Sequence, residues 1–250
     1  MAPTIAQVPD NIFEHPRLVG IYDEAIDPDR SDLDVYVGIA GELGVRSVLD
    51  VGCGTGTFAL MLAGRGLAVI GVDPAGGSLH IARAKPGAER VQWVHGDALA
   101  LPTMQVDLAT MTGNVAQAII DPQAWHGTLG GIWQALRPGG HLVFETRDPA
   151  ERAWEQWNGT ASRTVIEIDG FGAVESWTEV TAVRGPLVTF RSTFNFASDG
   201  EVLTSESTLR FRERDEVEES LTACGYWLDE VRGAPDRPGR EMVFFARRPD

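Results

Sequence analysis

The apolar positions change their period along the chain, and that change outlines a fold. From residue 16 to residue 43 they recur at helical spacing in two pieces, separated at Asp27-Pro28-Asp29-Arg30. Ser31 followed by Asp34 reads as a capping pair for the second piece. Residues 47–51 form a short apolar strand, and residues 57–65 a helix closing at Gly64 or Gly66. The rhythm continues through a strand at 68–72, a helix at 75–85 and a strand at 91–95. A strand at 106–112, a helix at 123–136 stopped by Arg137-Pro138-Gly139-Gly140, and a strand at 141–146 follow. Short apolar strands alternating with amphipathic helices build parallel βαβ units covered on both faces, with right-handed crossovers. The expected fold class is α/β, a doubly wound Rossmann-like sheet of seven strands.

After residue 160 the period falls to two. Val188, Phe190, Ser192, Phe194 and Phe196 share one strand face, and Leu203, Ser205, Ser207, Leu209 and Phe211 another. Ser198-Asp199-Gly200 and Gly185-Pro186 supply hairpin turns. Residues 161–211 are therefore expected to be a four-stranded antiparallel insert. Helical spacing then returns in Val217, Ser220, Leu221 and Cys224, with Asp215 and Glu218 as a capping pair and Gly225 as the stop. Strands at 226–231 and 241–247, joined by the Pro- and Gly-rich 233–239, would close the sheet. The implied organisation is an N-terminal helical cap (1–44), a core (45–160 and 212–250), and the insert as acceptor wall or homodimer interface.

Composition narrows the partners. Hydrophobic residues make up 43% and charged residues 23% of the 250, as in an ordinary globular protein. The net charge is −15 and Lys85 is the single lysine, so no basic surface is available for nucleic acid or an anionic membrane. No apolar run is long enough for a bilayer, and residues 1–10 lack a secretory pattern, so the expected compartment is the cytoplasm. Cys53 and Cys224 are expected as reduced thiols. The five histidines show no metal-ligand spacing, so no metal is expected.

The chemistry concentrates at Val48-Leu49-Asp50-Val51-Gly52-Cys53-Gly54-Thr55-Gly56, a strand running into three spaced glycines and then a helix. Glycines there permit positive φ and close approach of a ligand to the backbone. Asp73 ends the next strand, where an acid can accept bonds from a ribose diol, and Asp97 ends the third, within reach of an adenine amine. No Gly-Lys-Ser/Thr follows the loop, which argues against a phosphate-binding P-loop. Gly54-x-Gly56-x-x-Ala59 satisfies a dinucleotide pattern, but Asp50 would repel a pyrophosphate. The same carboxylate favours a nucleoside carrying an ammonium and a sulfonium, S-adenosylmethionine.

These pieces resemble the class I S-adenosylmethionine-dependent methyltransferases, in their small-molecule, type 11/25-like group. The resemblance rests on residues 49–56, Val72-Asp73-Pro74, Gly96-Asp97-Ala98, Leu101-Pro102 and Leu136-Arg137-Pro138-Gly139-Gly140. It implies that Gly52, Gly54 and Gly56 pass under the methionyl part, with Asp50 near its amino group. It further implies that Asp73 holds the ribose, that Pro74 packs on the adenine, and that Asp97 with Ala98 reads the adenine edge. Met111 to Asn114 would face the methyl group, and Tyr22 would close over the cofactor. Methyl transfer to O or N of a small molecule requires mainly alignment and exclusion of water, with a base only for protonated acceptors. Gln117, Glu145, Arg147 and Trp154 are acceptor candidates, Trp157 and Trp177 further apolar ones, and His95 a candidate base. An NAD-type oxidoreductase and a non-catalytic cofactor-binding module are the competing readings.

Overall fold

The computed structural model describes residues 9–26, 30–99, 101–235 and 237–250. Two short helices, α1 (Asn11–Glu14) and α2 (Pro16–Ile21), run into a π-helical turn at Tyr22–Ile26, and α3 (Asp32–Glu42) follows. The βαβ units are β1 (Ser47–Val51), α4 (Thr57–Gly64), β2 (Ala68–Asp73), α5 (Gly76–Ala84) and β3 (Val91–His95). Then come β4 (Val106–Met111), α6 (Val115–Ala118), α7 (Pro122–Ala135) and β5 (Leu136–Arg147). The antiparallel strands are β6 (Thr164–Ile168), β7 (Gly172–Arg184), β8 (Leu187–Phe196) and β9 (Val202–Arg210). The chain ends with α8 (Arg214–Ala223), β10 (Trp227–Gly233) and β11 (Glu241–Arg247).

The main sheet has the order β10-β11-β5-β4-β1-β2-β3, parallel except for β11, which pairs antiparallel with both β5 and β10. The chain moves outward from β1 to β3, then returns to the other side of β1 as β4. The strand order therefore reverses between β1 and β4, the switch point at which open α/β sheets form ligand crevices. Strand parity divides the core. Val48, Leu108, Val143 and Val243 face α3 and α4, whereas Leu49, Ala109, Met111 and Phe144 face α7 and α8.

The second sheet has the order β6-β7-β8-β9. Ile168, Val174, Phe194 and Phe196 pack on Ile12, Leu18 and Ile21 of the N-terminal helices. Ile12 N–H donates to Ser205 Oγ (2.9 Å), and the Arg17 guanidinium lies 3.9 Å from the centre of the Phe196 ring. The insert and the N-terminal helices thus share one hydrophobic cluster.

Local details depart from the sequence reading at helix starts. Ser31 precedes α3 in a helical backbone conformation (φ −62°, ψ −21°) and makes no side-chain cap bond. Leu33 N–H and Asp34 N–H instead bond to the carbonyls of Arg30 and Ser31. α8 begins one residue before the expected cap, and Glu218 pairs with Arg214 (2.6 Å). β5 starts at Leu136 rather than 141, because a register shift between Val106 and Leu108 absorbs the Arg-Pro-Gly-Gly turn. The expected break at 27–30 lies mostly outside the described residues.

Candidate active site

At the β1 turn, Gly52 N–H and Cys53 N–H both donate to the Val72 carbonyl (2.8 and 3.1 Å), locking the loop to β2. Asp73 holds the two neighbouring turns together: Oδ2 accepts from Gly54 N–H and Oδ1 from Ala75 N–H, each at 2.8 Å. The three glycines have positive φ (72°, 52° and 82°) but different neighbours. A Cβ on Gly52 would lie 2.4 Å from Val115 Cγ2, and one on Gly56 would lie 2.5 Å from the Trp93 ring. A Cβ on Gly54 would enter open space.

That space belongs to a cleft of about 900 Å³ at the carboxyl ends of the central strands. Its lining includes Tyr22, and the sheet order sorts the rest: Asp73, Pro74, Asp97 and Ala98 follow β2 and β3, Asp50, Gly52 and Gly54 belong to β1 and its turn, and Asn114, Glu145 and Arg147 to β4 and β5. Asp97 Oδ1 also accepts from Leu99 N–H (2.9 Å), so this side chain serves its own turn as well as the cleft. Asn114 sits in the left-handed region (φ 69°) at the start of α6.

Seven expected site residues lie elsewhere. Gly56 packs against Trp93 and Ala82, so its missing side chain serves helix–strand packing and not ligand approach. The dinucleotide register, which needs Gly56, loses its footing there. Met111 is fully buried on the α7 side of β4, because alternation turns it away from the cleft; Thr112 and Gly113 line the cleft in its place. Gln117 is likewise fully buried, accepting from Arg147 N–H (3.2 Å) and donating to the Arg210 carbonyl. Trp154 stacks edge-on against Phe211 (4.5 Å between centroids), part of a satellite cluster with Trp157. Trp177 lies under Arg163, and His95 is exposed with its ring bonded to the Pro74 carbonyl.

Carboxylates dominate the electrostatics. Asp50 is 1% exposed; Thr110 Oγ1 donates to its Oδ1 (3.2 Å), and Oδ2 has no partner among the described residues. Burial pushes its carboxyl up to about 7, with the Thr110 bond opposing and the Asp73 charge adding. Glu145, 5% exposed, is also raised to about 7 by burial, against bonds from Tyr36 and the Asn114 N–H. Burial raises Asp73 more than its two backbone bonds lower it, and raises the Cys53 thiol, leaving that thiol inert.

Apart from Tyr22, the N-terminal residues that meet the cleft or the turns around it escaped the sequence reading. Glu14 accepts from Gly76 N–H (2.7 Å) and Gly77 N–H (3.2 Å), capping α5 from 62 residues away. Asp23 accepts from Thr55 Oγ1 (2.6 Å) in the glycine loop and pairs with Lys85 (2.6 Å). Arg30, Asp32 and Tyr36 enter the lining from around α3, and Arg237 and Glu241 from the β11 end. Only Glu145 and Arg147, at the carboxyl end of the fifth strand, signalled that side beforehand.

Residues 48–140 match the model of a family described as a methyltransferase domain. Over 214 residues the chain is 26% identical to malonyl-[acyl-carrier protein] O-methyltransferase of Serratia marcescens, covering 84% of this chain and 75% of that protein. Further curated relatives are matched over 24% to 44% of their own length. Among solved structures, an S-adenosylmethionine-dependent methyltransferase from Clostridium acetobutylicum superposes with a TM-score of 0.74 at 18% identity, over 94% of this chain and 98% of that one. An amino pentose methyltransferase from Micromonospora echinaspora, solved with S-adenosylmethionine bound, gives 0.67 at 20% identity over 91% and 96%. At such identities the structural likeness is one of fold.

Proposed function

The chain belongs to the class I S-adenosylmethionine-dependent methyltransferases, and from that premise we propose that it methylates O or N of a small molecule by in-line displacement. The observation that carries the cofactor assignment is Asp50: a buried carboxylate whose second oxygen lacks a donor, beside a glycine backbone with open space above it. A cationic ligand supplies what that oxygen lacks, whereas a pyrophosphate would add repulsion. When bound, S-adenosylmethionine supplies an electrophilic methyl carbon on a positively charged sulfur.

The residues present fit that group. Asp50 would hold its ammonium, and Arg30, which also lines the cleft, its carboxylate. Asp73 would take the ribose hydroxyls with the lone pairs that its two backbone bonds leave. Pro74, Asp97 and Ala98 would bound the adenine. That order would direct the methyl group toward Asn114, with the acceptor beyond, near Glu145 and Arg147. The shared cluster of insert and N-terminal helices serves as the wall excluding water from that end. The Serratia relative is named for O-methylation and the Micromonospora structure for an amino sugar, so relatives support either element.

Calorimetry with the purified chain tests the cofactor assignment. Micromolar binding of S-adenosylmethionine and none of NAD is expected, and the opposite pattern would overturn it. Release of S-adenosylhomocysteine over a metabolite panel separates an enzyme from a non-catalytic module.

A further inference from the structure

The face of the main sheet that meets α3 and α4 is apolar along Val48, Leu108, Val143 and Val243. One alternation step toward the carboxyl ends of β1, β4 and β5, and on β11 toward its start, the same face turns polar. Asp50, Thr110, Glu145 and Glu241 occupy that step, and Arg147 stands opposite Glu241 across β5 and β11. Most of this row is accounted for. Glu241 is shared by Arg237 (2.7 Å) and Arg147 (3.7 Å). Asp50 borders the glycine loop, at the cofactor end. Glu145 is the exception: its carboxylate is bonded by the Tyr36 side chain and by Asn114 N–H (to Oε1, 3.1 Å), while Oε2 is buried without a hydrogen-bond partner among the described residues. It lines the cleft from β5, two strands away from the β1 glycine turn and on the side opposite β2 and β3.

We propose that Glu145 receives the methyl acceptor, and that the acceptor is an amine. This rests on the methyltransferase reading above and narrows it to nitrogen. An ionised carboxylate can only accept hydrogen bonds. An ammonium brings both the missing donor and a positive charge in addition to that of Arg147; a hydroxyl brings only the donor. The proton balance agrees. An alkylammonium titrates near 10, so transfer to a carboxylate at about 7 is uphill by a factor of about 10³, whereas an aliphatic hydroxyl is a far weaker acid. The ammonium proton passes to Glu145 Oε2, freeing the nitrogen lone pair. The C–N bond then forms as the C–S bond breaks, its electron pair staying on sulfur. The methylated nitrogen leaves as an ammonium, and Glu145 returns its proton to solvent.

The test uses the full chain and matched probes: benzylamine against benzyl alcohol, glucosamine against glucose, and tyramine against 4-ethylphenol. Calorimetry of S-adenosylmethionine is run first on each variant, so that failure of cofactor binding is distinguished from failure of this assignment. Amines should bind the S-adenosylhomocysteine complex and turn over, and their oxygen twins should not. Glu145→Gln, whose amide oxygen can still accept from Asn114 N–H, should keep cofactor affinity within threefold and lose about 100-fold in kcat/KM. Glu145→Asp should recover part of that loss. The wild-type profile should fall on the acid side of about pH 7, a limb that Glu145→Gln lacks. The charged or titratable groups facing Glu145 are Tyr36 of α3, Arg147, Arg237, Glu241 and Asp50. All of them remain in the variant, so a limb that persists belongs to one of them. An oxygen probe methylated as fast as its amine twin would overturn the proposal. So would an unchanged rate or limb in Glu145→Gln, or cofactor binding without turnover of any amine.

Discussion

At the scale of single residues, the site is built from acids held where water cannot solvate them. Asp50 illustrates the trade between stability and binding. Its carboxyl is raised by burial, so the folded chain holds that proton more tightly than the unfolded chain does. By linkage, this contribution to stability is present at low pH and is lost as pH rises from about 4 to about 7. Asp73 and Glu145 are raised in the same direction. Ligand-free protein should therefore melt at a lower temperature at pH 8 than at pH 6, and Asp50→Asn should narrow the gap, as scanning fluorimetry can measure. Binding has the opposite sign. Affinity for S-adenosylmethionine should rise toward pH 7 and level off above it, and Asp50→Asn should weaken it by about 2 kcal/mol, roughly thirtyfold. Equal affinity at pH 5.5 and 8 would remove Asp50 from the cofactor's charge partners.

At the scale of elements, the three glycines of one turn divide their labour. Ala at Gly52 or Gly56 combines positive φ with a Cβ inside 2.6 Å of Val115 or Trp93, so urea unfolding should show losses of about 2–4 kcal/mol. Gly54→Ala meets nothing within 4 Å. It should cost only about 1 kcal/mol of backbone strain while obstructing the cofactor, so that affinity falls more than stability. Spacing alone gives the three the same role; their neighbours, Val115 of α6 for Gly52 and Trp93 of β3 with Ala82 of α5 for Gly56, separate them. The same limit explains the helix starts. Acids and serines near α3 and α8 were correctly associated with helix beginnings, but Glu218 found Arg214 one turn back, and α5 is capped by Glu14, which no local pattern could supply.

At the scale of the whole molecule, the N-terminal segment bridges the insert and the cofactor loop. Arg17 pairs with Asp199 and Glu201 at the β8–β9 turn, and Asp23 ties the π-helical turn to Thr55 and Lys85. The Asp23 pair is partly exposed, so Asp23→Ala should cost no more than about 1 kcal/mol in stability. Because the contact ties the turn that carries the cleft-lining Tyr22 to the glycine loop, release of S-adenosylhomocysteine should nevertheless quicken about tenfold in stopped-flow fluorescence. Unchanged release would make the bridge purely structural. Arg212 serves the core. Buried at 1% exposure, it donates to the carbonyls of Ala116 (2.8 Å) and Ile119 (2.6 Å) and stacks on Trp125. Arg212→Ala should lose about 2–4 kcal/mol, leaving two carbonyls without donors and a cavity beside α6. With a net charge of −15, the chain should show no retention of tRNA at 150 mM salt in a filter assay.

The seven strands, the helices between them and the antiparallel insert were legible because period, glycine turns and strand-end acids are local properties of the chain. The placement of Asp50, Gly52, Gly54, Asp73 and Asp97 at the cleft was legible for the same reason, since they lie at or just past the carboxyl ends of β1, β2 and β3. Facing was not legible where one step of alternation reverses it: Met111 points into the core and Thr112 to the cleft. Nor could a linear pattern bring Glu241 to Arg147 across a strand pair, or Glu14 to the start of α5. Those meetings join residues 62 to 94 positions apart, and they exist only once buried surfaces on both sides of the sheet have chosen a register.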